Sequence, residues 1–322
     1  MSDDILQTAK DWQVEGRQVA LATVSRTWGS APFPVGSQLA VDNQGNFVGS
    51  VSGGCIEGAV ITEARGAIKD GKIRNLEFSV SNEDAWEVGL ACGGTINIFV
   101  EPAPAELNDI LAASDAGQSV ALATNLESGK HTLYQSDTTA PAIQKAMRDD
   151  RSQSLEEGEF VRVFNTPRRL AIIGAVHIAQ ELVPIAQKAG FDVTVIDPRE
   201  AFASEERFPG VALSHDWPDQ AMRAFAPDRR SAIVTLTHDP KLDDPALDIA
   251  LPSDCFYIGS LGSRKTQAKR VERLIEAGFT PEVIGRIHGP VGLDIRAQSP
   301  AEIAISIMAE IISVLRAPPI ED

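Results

Sequence analysis

Two cysteines stand where glycine leaves a thiol accessible and a regular element begins. In Ser52-Gly53-Gly54-Cys55-Ile56-Glu57-Gly58 the thiol precedes a helix, and in Cys92-Gly93-Gly94 it precedes a strand. A helix N-terminus favours the thiolate, which is a nucleophile and a soft-metal ligand. The plain alternative is a small buried apolar side chain. That is the reading for Cys255, which sits inside the apolar run Cys255 to Gly259. A second chemistry is anion binding at glycine-rich joints. Gly174-Ala175-Val176-His177 leads from a strand into a helix, the setting in which backbone amides and the helix dipole receive a phosphate. Asp197 follows 23 residues after Gly174, where a ribose partner is expected. Val176 replaces the second glycine that lets a backbone approach a pyrophosphate, so a Rossmann fold is expected here but bound NAD(P) is not. His177 either touches a ligand or bonds a neighbouring loop.

Tyr257-Ile258-Gly259-Ser260-Leu261-Gly262-Ser263-Arg264-Lys265 combines glycines, hydroxyls and cations at a helix start, which is an anion nest. Its alternative is a Ser263 N-cap followed by solvated cations. His238 and His288 lie in loops expected at the carboxyl ends of strands, where ligands bind such sheets. Gly29 and Ser30 open a stiff turn before a strand. Glu302, Ser306 and Glu310 recur at four-residue spacing on one helix face, either its solvated side or the lining of a crevice near His288. No Ser/His/Asp order, no HExxH and no acid/base carboxylate pair is legible.

The elements that must hold these residues alternate most clearly in the second half. Short apolar strands are expected at Arg169 to Gly174, Asp192 to Asp197, Ser231 to Thr237 and Cys255 to Gly259. Helices are expected at Val176 to Ala189, Asp243 to Leu251, Ser263 to Ala277 and Ser299 to Arg316, the last opened by a capping box. Apolar strands separated by helices predict a doubly wound parallel sheet. The first half mixes types. A helix reaches Glu15, and a strand runs over Val19 to Val24. A hairpin of Ser37 to Val41 with Phe47 to Val51 precedes a helix at Ile56 to Lys69 and a strand at Thr95 to Val100. VALAT occurs at 19–23 and again at 120–124, each after a glycine, which suggests two equivalent helix-to-strand joints in one sheet. Residues 125 to 165 read as a polar hairpin, a loop and a last strand at Phe160 to Phe164. The fold class is therefore α/β, with a mixed domain over 1–166 and a Rossmann-like domain over 167–322.

A chain of 322 residues is long enough for two cores, and 43% hydrophobic with 23% charged residues is ordinary for a globular protein. A net charge of −16 disfavours nucleic acid. No apolar run approaches the roughly 18 residues that span a bilayer, and the acidic start is unlike a signal peptide. A cytoplasmic protein with no membrane partner is expected. Its three cysteines are too dispersed for a disulfide framework or a zinc site.

Five strings, GSAPFPVGS (29–37), SVSGGCIEG (50–58), ACGGTINIFVEP (91–102), YIGSLGSRKT (257–266) and HGPVGLDIRAQSPAEIAISIMAEI (288–311), together resemble the xanthine dehydrogenase accessory (XdhC/CoxI) family, in that family's domain order. The resemblance implies a molybdenum-cofactor chaperone without turnover of its own. Such a protein holds molybdopterin-bound molybdenum transiently and presents it to a cysteine desulfurase, which exchanges an oxo for a sulfido ligand. It then inserts the cofactor into a xanthine-dehydrogenase-type hydroxylase. The family pattern and the apolar last helix imply a homodimer. Two residues depart from the family: Val176 at its Gly-Xaa-Gly-His joint, and Arg296 where a small residue usually follows Asp-Ile. Molybdopterin offers a phosphate, a polar ring system and a metal held by sulfurs. The residues expected to meet it are Gly29, Ser30, Ser52, Gly53, Gly54, Cys55, Cys92, Gly93, Gly174, His177, Asp197, His238, Gly259, Ser260, Gly262, Ser263, Arg264 and His288. Cys55, with Cys92 near it, would face the molybdenum or its terminal ligand, and Gly259 to Arg264 would hold the phosphate end. The rival readings are an NAD(P)-dependent oxidoreductase, a sulfurtransferase using Cys55 covalently, and a protein-binding scaffold.

Overall fold

Both halves of the chain fold around sheets, but of different kinds, in a computed structural model that describes residues 2–29, 33–79 and 94–317. The chain divides between Thr166 and Pro167 into two compact units.

In the first unit α1 (Ser2–Val14) leads through Gly16, at φ 83°, into β1 (Val19–Trp28). Then come β2 (Gln38–Asp42), β3 (Phe47–Gly49), α2 (Glu57–Asp70), β4 (Arg74–Ser79) and β5 (Thr95–Pro102). They form an antiparallel sheet in the order β3-β2-β1-β5-β4. The β2–β3 turn is fixed by Asp42, whose buried carboxylate accepts from the backbone N–H groups of Gln44 and Asn46 at 2.9 and 2.8 Å. One face of the sheet is closed by α2, whose Val60, Ala64 and Ala67 pack among Ala20, Val24, Ile98 and Val100. The helix ends at Gly71, left-handed at φ 71° with its N–H on Ala67 O.

The second sheet of this unit is built from α3 (Leu107–Asp115), β6 (Val120–Asn125), β7 (His131–Gln135), α4 (Pro141–Asp149), β8 (Gln153–Ser154) and β9 (Glu159–Phe164), with strand order β7-β6-β9-β8. Here the VALAT expectation needs correction. The two joints are equivalent: Gly16 and Gly117 are both left-handed, and Arg17 and Gln118 each donate five residues back, to Trp12 O and Ala113 O. They do not share a sheet, because β1 and β6 belong to different ones. Helix α4 occupies what reads as loop, since only Ile143, Ala146 and Met147 of its short span are buried.

The second unit runs β10 (Arg168–Ile173), α5 (His177–Lys188), β11 (Phe191–Ile196), β12 (Ala212–Ser214), α6 (Pro218–Phe225), β13 (Ser231–Thr235), α7 (Pro240–Ala250), β14 (Tyr257–Ser260), α8 (Arg264–Glu276), α9 (Pro281–Ile284), β15 (Ile287–His288) and α10 (Pro300–Arg316). All its strand pairs are parallel, in the order β12-β11-β10-β13-β14-β15. The order reverses between β10 and β13, which makes their carboxyl ends the switch point of a Rossmann-like sheet. Alternate residues of β10 enter opposite cores: Leu170 and Ile172 pack with α5 and α10, Ala171 and Ile173 with α6, α7 and α8. Burial on both faces is why these strands are continuously apolar. The β14 strand starts at Tyr257, two residues later than expected, and Cys255 lies buried before it. Helix α10 opens with the expected capping box, Ser299 with Glu302. Its Ala304, Ile307, Met308 and Ile311 are buried in this unit's own core, while Ile305 and Ile312 are exposed. Among the described residues no helix is long and apolar enough to cross a membrane.

Candidate functional site

The loop from β3 to α2 is organised by a side chain that sequence reasoning missed. Glu57, the first residue of α2, turns its carboxylate back into the loop that precedes it. Its Oε1 accepts from Ser50 Oγ at 2.6 Å and from the backbone N–H groups of Val51, Ser52 and Gly53 at 3.2, 2.9 and 3.0 Å. Its Oε2 accepts from Gly54 N–H at 2.8 Å and from the Ser52 hydroxyl. Burial pushes the Glu57 pKa up, but the hydroxyls of Ser50 and Ser52 and the loop amides outweigh it and hold the carboxyl at about 2. The loop is an anion nest, and its anion is the chain's own carboxylate. The amides of Ser52, Gly53 and Gly54, expected to meet a ligand, are engaged by Glu57. The legible signal was an acid in the first turn behind Gly-Gly, with both glycines left-handed at φ 80° and 115°.

Cys55 is carried on this fixed loop just before the helix, half-buried and resting against the α2 core. Phe33, of the 29–37 string, stands 3.4 Å from where a Cβ on Gly53 would be, so two of the motifs meet here. Gly29 ends β1 at φ 74°. Ser30, Cys92 and Gly93 lie outside the described residues. Neither Cys55 nor Cys255 forms a disulfide. The thiol of Cys255 is pushed up by burial and donates to Ala250 O at 3.5 Å, as its structural reading requires.

In the second unit the candidates converge on one edge of the sheet, because β10, β13, β14 and β15 all end there. Gly174 is left-handed at φ 106°, and a Cβ on it would stand 2.5 Å from Thr237 Cγ2, so glycine is required by packing. Asp197 is not placed to receive a ribose. It is fully buried, accepts from Ala175 N–H at 2.9 Å, and is clamped by Arg199 at 2.7 and 2.8 Å. Burial raises its pKa, and the bonds from Arg199 and Ala175 more than reverse that. Arg199 in turn lies 4.2 Å over the Phe202 ring. His177 is exposed at the first position of α5.

Two members of the 257–265 string also have internal roles. A Cβ on Gly259 would meet Val291 and Tyr257 within 2.7 Å, and the buried Ser260 hydroxyl bonds Thr235. Ser263 is the N-cap of α8 and accepts from Thr266 N–H at 3.1 Å, the plain alternative for that residue. A Cβ on Gly262 would crowd Thr266, while Arg264 is exposed. His238 is exposed and left-handed at φ 60°, a conformation uncommon for a residue with a side chain and often found at functional loops. Arg296 is also left-handed, at φ 59°.

His288 stacks on Tyr257 with ring centroids 4.7 Å apart, and its Nδ1 lies 3.4 Å from Glu310 Oε1. Glu310 also accepts from Tyr257 Oη at 2.5 Å and from Gly292 N–H at 2.9 Å. The polar stripe of α10 is thus split by role. Glu302 caps the helix, Ser306 is buried beside Gly292, and Glu310 lines the recess at His288 instead of facing solvent. Among the described residues no group of three His, Cys, Asp or Glu side chains is arranged to hold a metal.

The XdhC and CoxI family pattern matches residues 12–79, which include the Glu57 loop, and the XdhC Rossmann-domain pattern matches residues 170–311, which include every loop at the sheet edge. The chain belongs to the XdhC/CoxI family. This XdhC/CoxI protein is 28% identical over 317 residues to the molybdenum cofactor insertion chaperone PaoD of Escherichia coli K12, covering 98% of this chain and 90% of that one. It is 28% identical over 314 residues to a probable xanthine dehydrogenase subunit of Bacillus subtilis 168, covering 92% of each. A crystal structure described as a xanthine dehydrogenase from Bacillus halodurans superimposes with a TM-score of 0.77 at 25% identity, over 99% of this chain and 98% of its own.

Proposed function

We propose that this protein carries a molybdenum cofactor as cargo, supports its sulfuration and delivers it to a xanthine-dehydrogenase-type hydroxylase. The reading is carried by one observation before the others, the end-to-end similarity to a protein named as a molybdenum cofactor insertion chaperone. The local chemistry supports it. Cys55 is a half-buried thiol on a loop that Glu57 locks in place, and a soft sulfur held in this way suits a thiophilic metal. Cys55 is the contact to molybdenum or its terminal ligand, and Glu57 is a positioning residue that never touches the cargo. Along the sheet edge of the second unit, His177, His238, Ser263, Arg264 and His288 are the expected residues with side chains at least partly open to a ligand. A cysteine desulfurase and a second copy of the chain complete the cycle. The clamping of Asp197 by Ala175 and Arg199 weighs against a dinucleotide-dependent oxidoreductase.

The test is replacement of Cys55 by alanine. The variant is expected to lose most of the molybdenum retained by the wild-type protein and to activate the partner hydroxylase poorly, with its fold intact by circular dichroism. Equal metal retention and equal activation would refute the assignment of Cys55.

A further inference from the structure

The second unit of this acidic chain carries a cluster of cations at a cavity that includes His238. A cavity of about 230 Å³ opens between α7 and α8, lined by His238, Asp243, Lys265, Lys269, Arg270 and Arg273 among others. Lys265, Lys269 and Arg273 follow at four-residue spacing, so α8 turns one cationic face into it. Lys265 lies in the first turn of α8, where the helix dipole disfavours a cation. The protein compensates only part of this charge. Arg273 is held in a bidentate pair with Asp244 at 2.6 and 2.9 Å. Lys265 and Lys269 are exposed, and among the described residues neither is paired with an acid.

The deep wall of the cavity supplies an independent observation. The side chains of Arg270 and Asp243 are each 2% exposed, and Arg270 Nη2 stands 3.8 Å from Asp243 Oδ2, too far for a hydrogen bond. Arg270 Nη2 donates to Leu261 O at 2.9 Å, and Asp243 Oδ1 accepts from the Thr237 hydroxyl at 2.6 Å. Arg270 Nε and Asp243 Oδ2 are buried without a hydrogen-bond partner. The buried Arg270 donor is costly to leave unpaired and an anionic guest would satisfy it, while the Asp243 carboxylate, set against Arg270, opposes such a guest and leaves the cations at the rim to outweigh it.

We infer that the α7–α8 cavity is a seat for a phosphate-class anion, gripped by Lys265 and Lys269 at its rim with Arg270 behind them. The ligand is a phosphoryl group, free or borne on a larger molecule. The inference does not depend on what the protein carries, because it uses neither Cys55 nor the Glu57 loop.

The experiment is calorimetric titration of the full-length protein with inorganic pyrophosphate at fixed ionic strength. Three forms are compared: wild type, Lys265→Ala/Lys269→Ala, and Lys69→Ala/Lys188→Ala as a control with the same loss of charge elsewhere. All four lysines are exposed, so each variant is expected to keep the wild-type melting temperature. The seat predicts saturable binding to wild type and control, and at least about tenfold weaker binding to the rim variant, the equivalent of one good charged contact. Equal binding to both variants, or no saturable binding to wild type at millimolar pyrophosphate, overturns it. Molybdopterin released from a denatured molybdenum hydroxylase either displaces the pyrophosphate, which assigns the phosphate to the cargo, or leaves it bound, which assigns the seat to a separate phosphoryl compound. Both of those results support the seat.

Discussion

The β3–α2 loop of the first unit and the β10–α5 loop of the second both run from glycine into a helix, Gly53-Gly54 in the first and Gly174 alone in the second, and both hold a carboxylate where an anionic ligand is expected. They differ in how the carboxylate arrives. Glu57 comes from the helix that the loop enters, and it gathers six donors from Ser50 to Gly54 without any cation. Asp197 comes from the loop after the neighbouring strand and takes one loop amide, sharing the rest of its charge with Arg199. The first arrangement fixes a loop that carries a thiol. The second ties β10 to β11 and leaves the helix start with one amide fewer for a ligand. A glycine-rich helix entry is therefore an anion site only after the chain's own acids have been considered.

Breaking the first loop has the largest expected effect. Glu57→Ala strands several buried donors at once, and urea unfolding is expected to show a loss of about 4 kcal/mol, given roughly 1.5–3 kcal/mol for hydrogen bonds to a charged group. A loss below about 1 kcal/mol would mean that water replaces the carboxylate without penalty. Asp197→Ala, with one loop amide and one arginine at stake, is expected to cost about 3 kcal/mol by the same measurement, less than the Glu57 change. If the order of the two is reversed, the six loop donors do not make Glu57 the stronger anchor.

Glycine replacements sharpen the contrast. Gly174→Ala adds a Cβ 2.5 Å from Thr237 to a left-handed residue, while Gly54→Ala meets nothing within 4 Å. Thermal unfolding is expected to show about 3 kcal/mol for the first and about 1 kcal/mol for the second, the cost of left-handed backbone alone.

A further contrast lies in the pH dependence. Glu57 ordinarily titrates at 4.5 and is held at about 2 in the fold, so its stabilisation is fully present above 4.5 and fades as pH falls towards 2. The gap in urea midpoint between wild type and Glu57→Gln is expected to be constant above about pH 5 and to narrow steadily below it. A gap independent of pH across that window would show that the carboxylate's charge does not matter.

Much of this architecture was legible. The strands β10, β11 and β13 declare themselves because burial on both faces makes them continuously apolar, and α10 because Ser299-Pro300-Ala301-Glu302 encodes its own cap. Strand β12 escaped because its three partly exposed residues carry no alternation, and helix α6 because its buried stripe of Pro218, Ala221 and Met222 spans only eight residues. At the sites, residue type and glycine context pointed to Cys55, His238 and His288, whose side chains are half-buried or exposed. They could not tell that Ser52, Gly53, Gly54, Ser260 and Asp197 have partners inside the protein, because those partners are set by tertiary packing. Glu57 was missed for a related reason, since a lone acid at the start of an amphipathic helix looks like its solvated side, whereas Glu310 was legible as one of two readings, solvated or lining a crevice near His288.

The central claim, that this chain is a carrier of a molybdenum cofactor, is tested most directly by purifying it from molybdate-fed cells that also make its partner hydroxylase, and measuring metal and pterin per chain together. The account predicts that both accompany the wild-type protein in matching amounts. A protein free of both, from cells whose hydroxylase is nonetheless loaded, would contradict it.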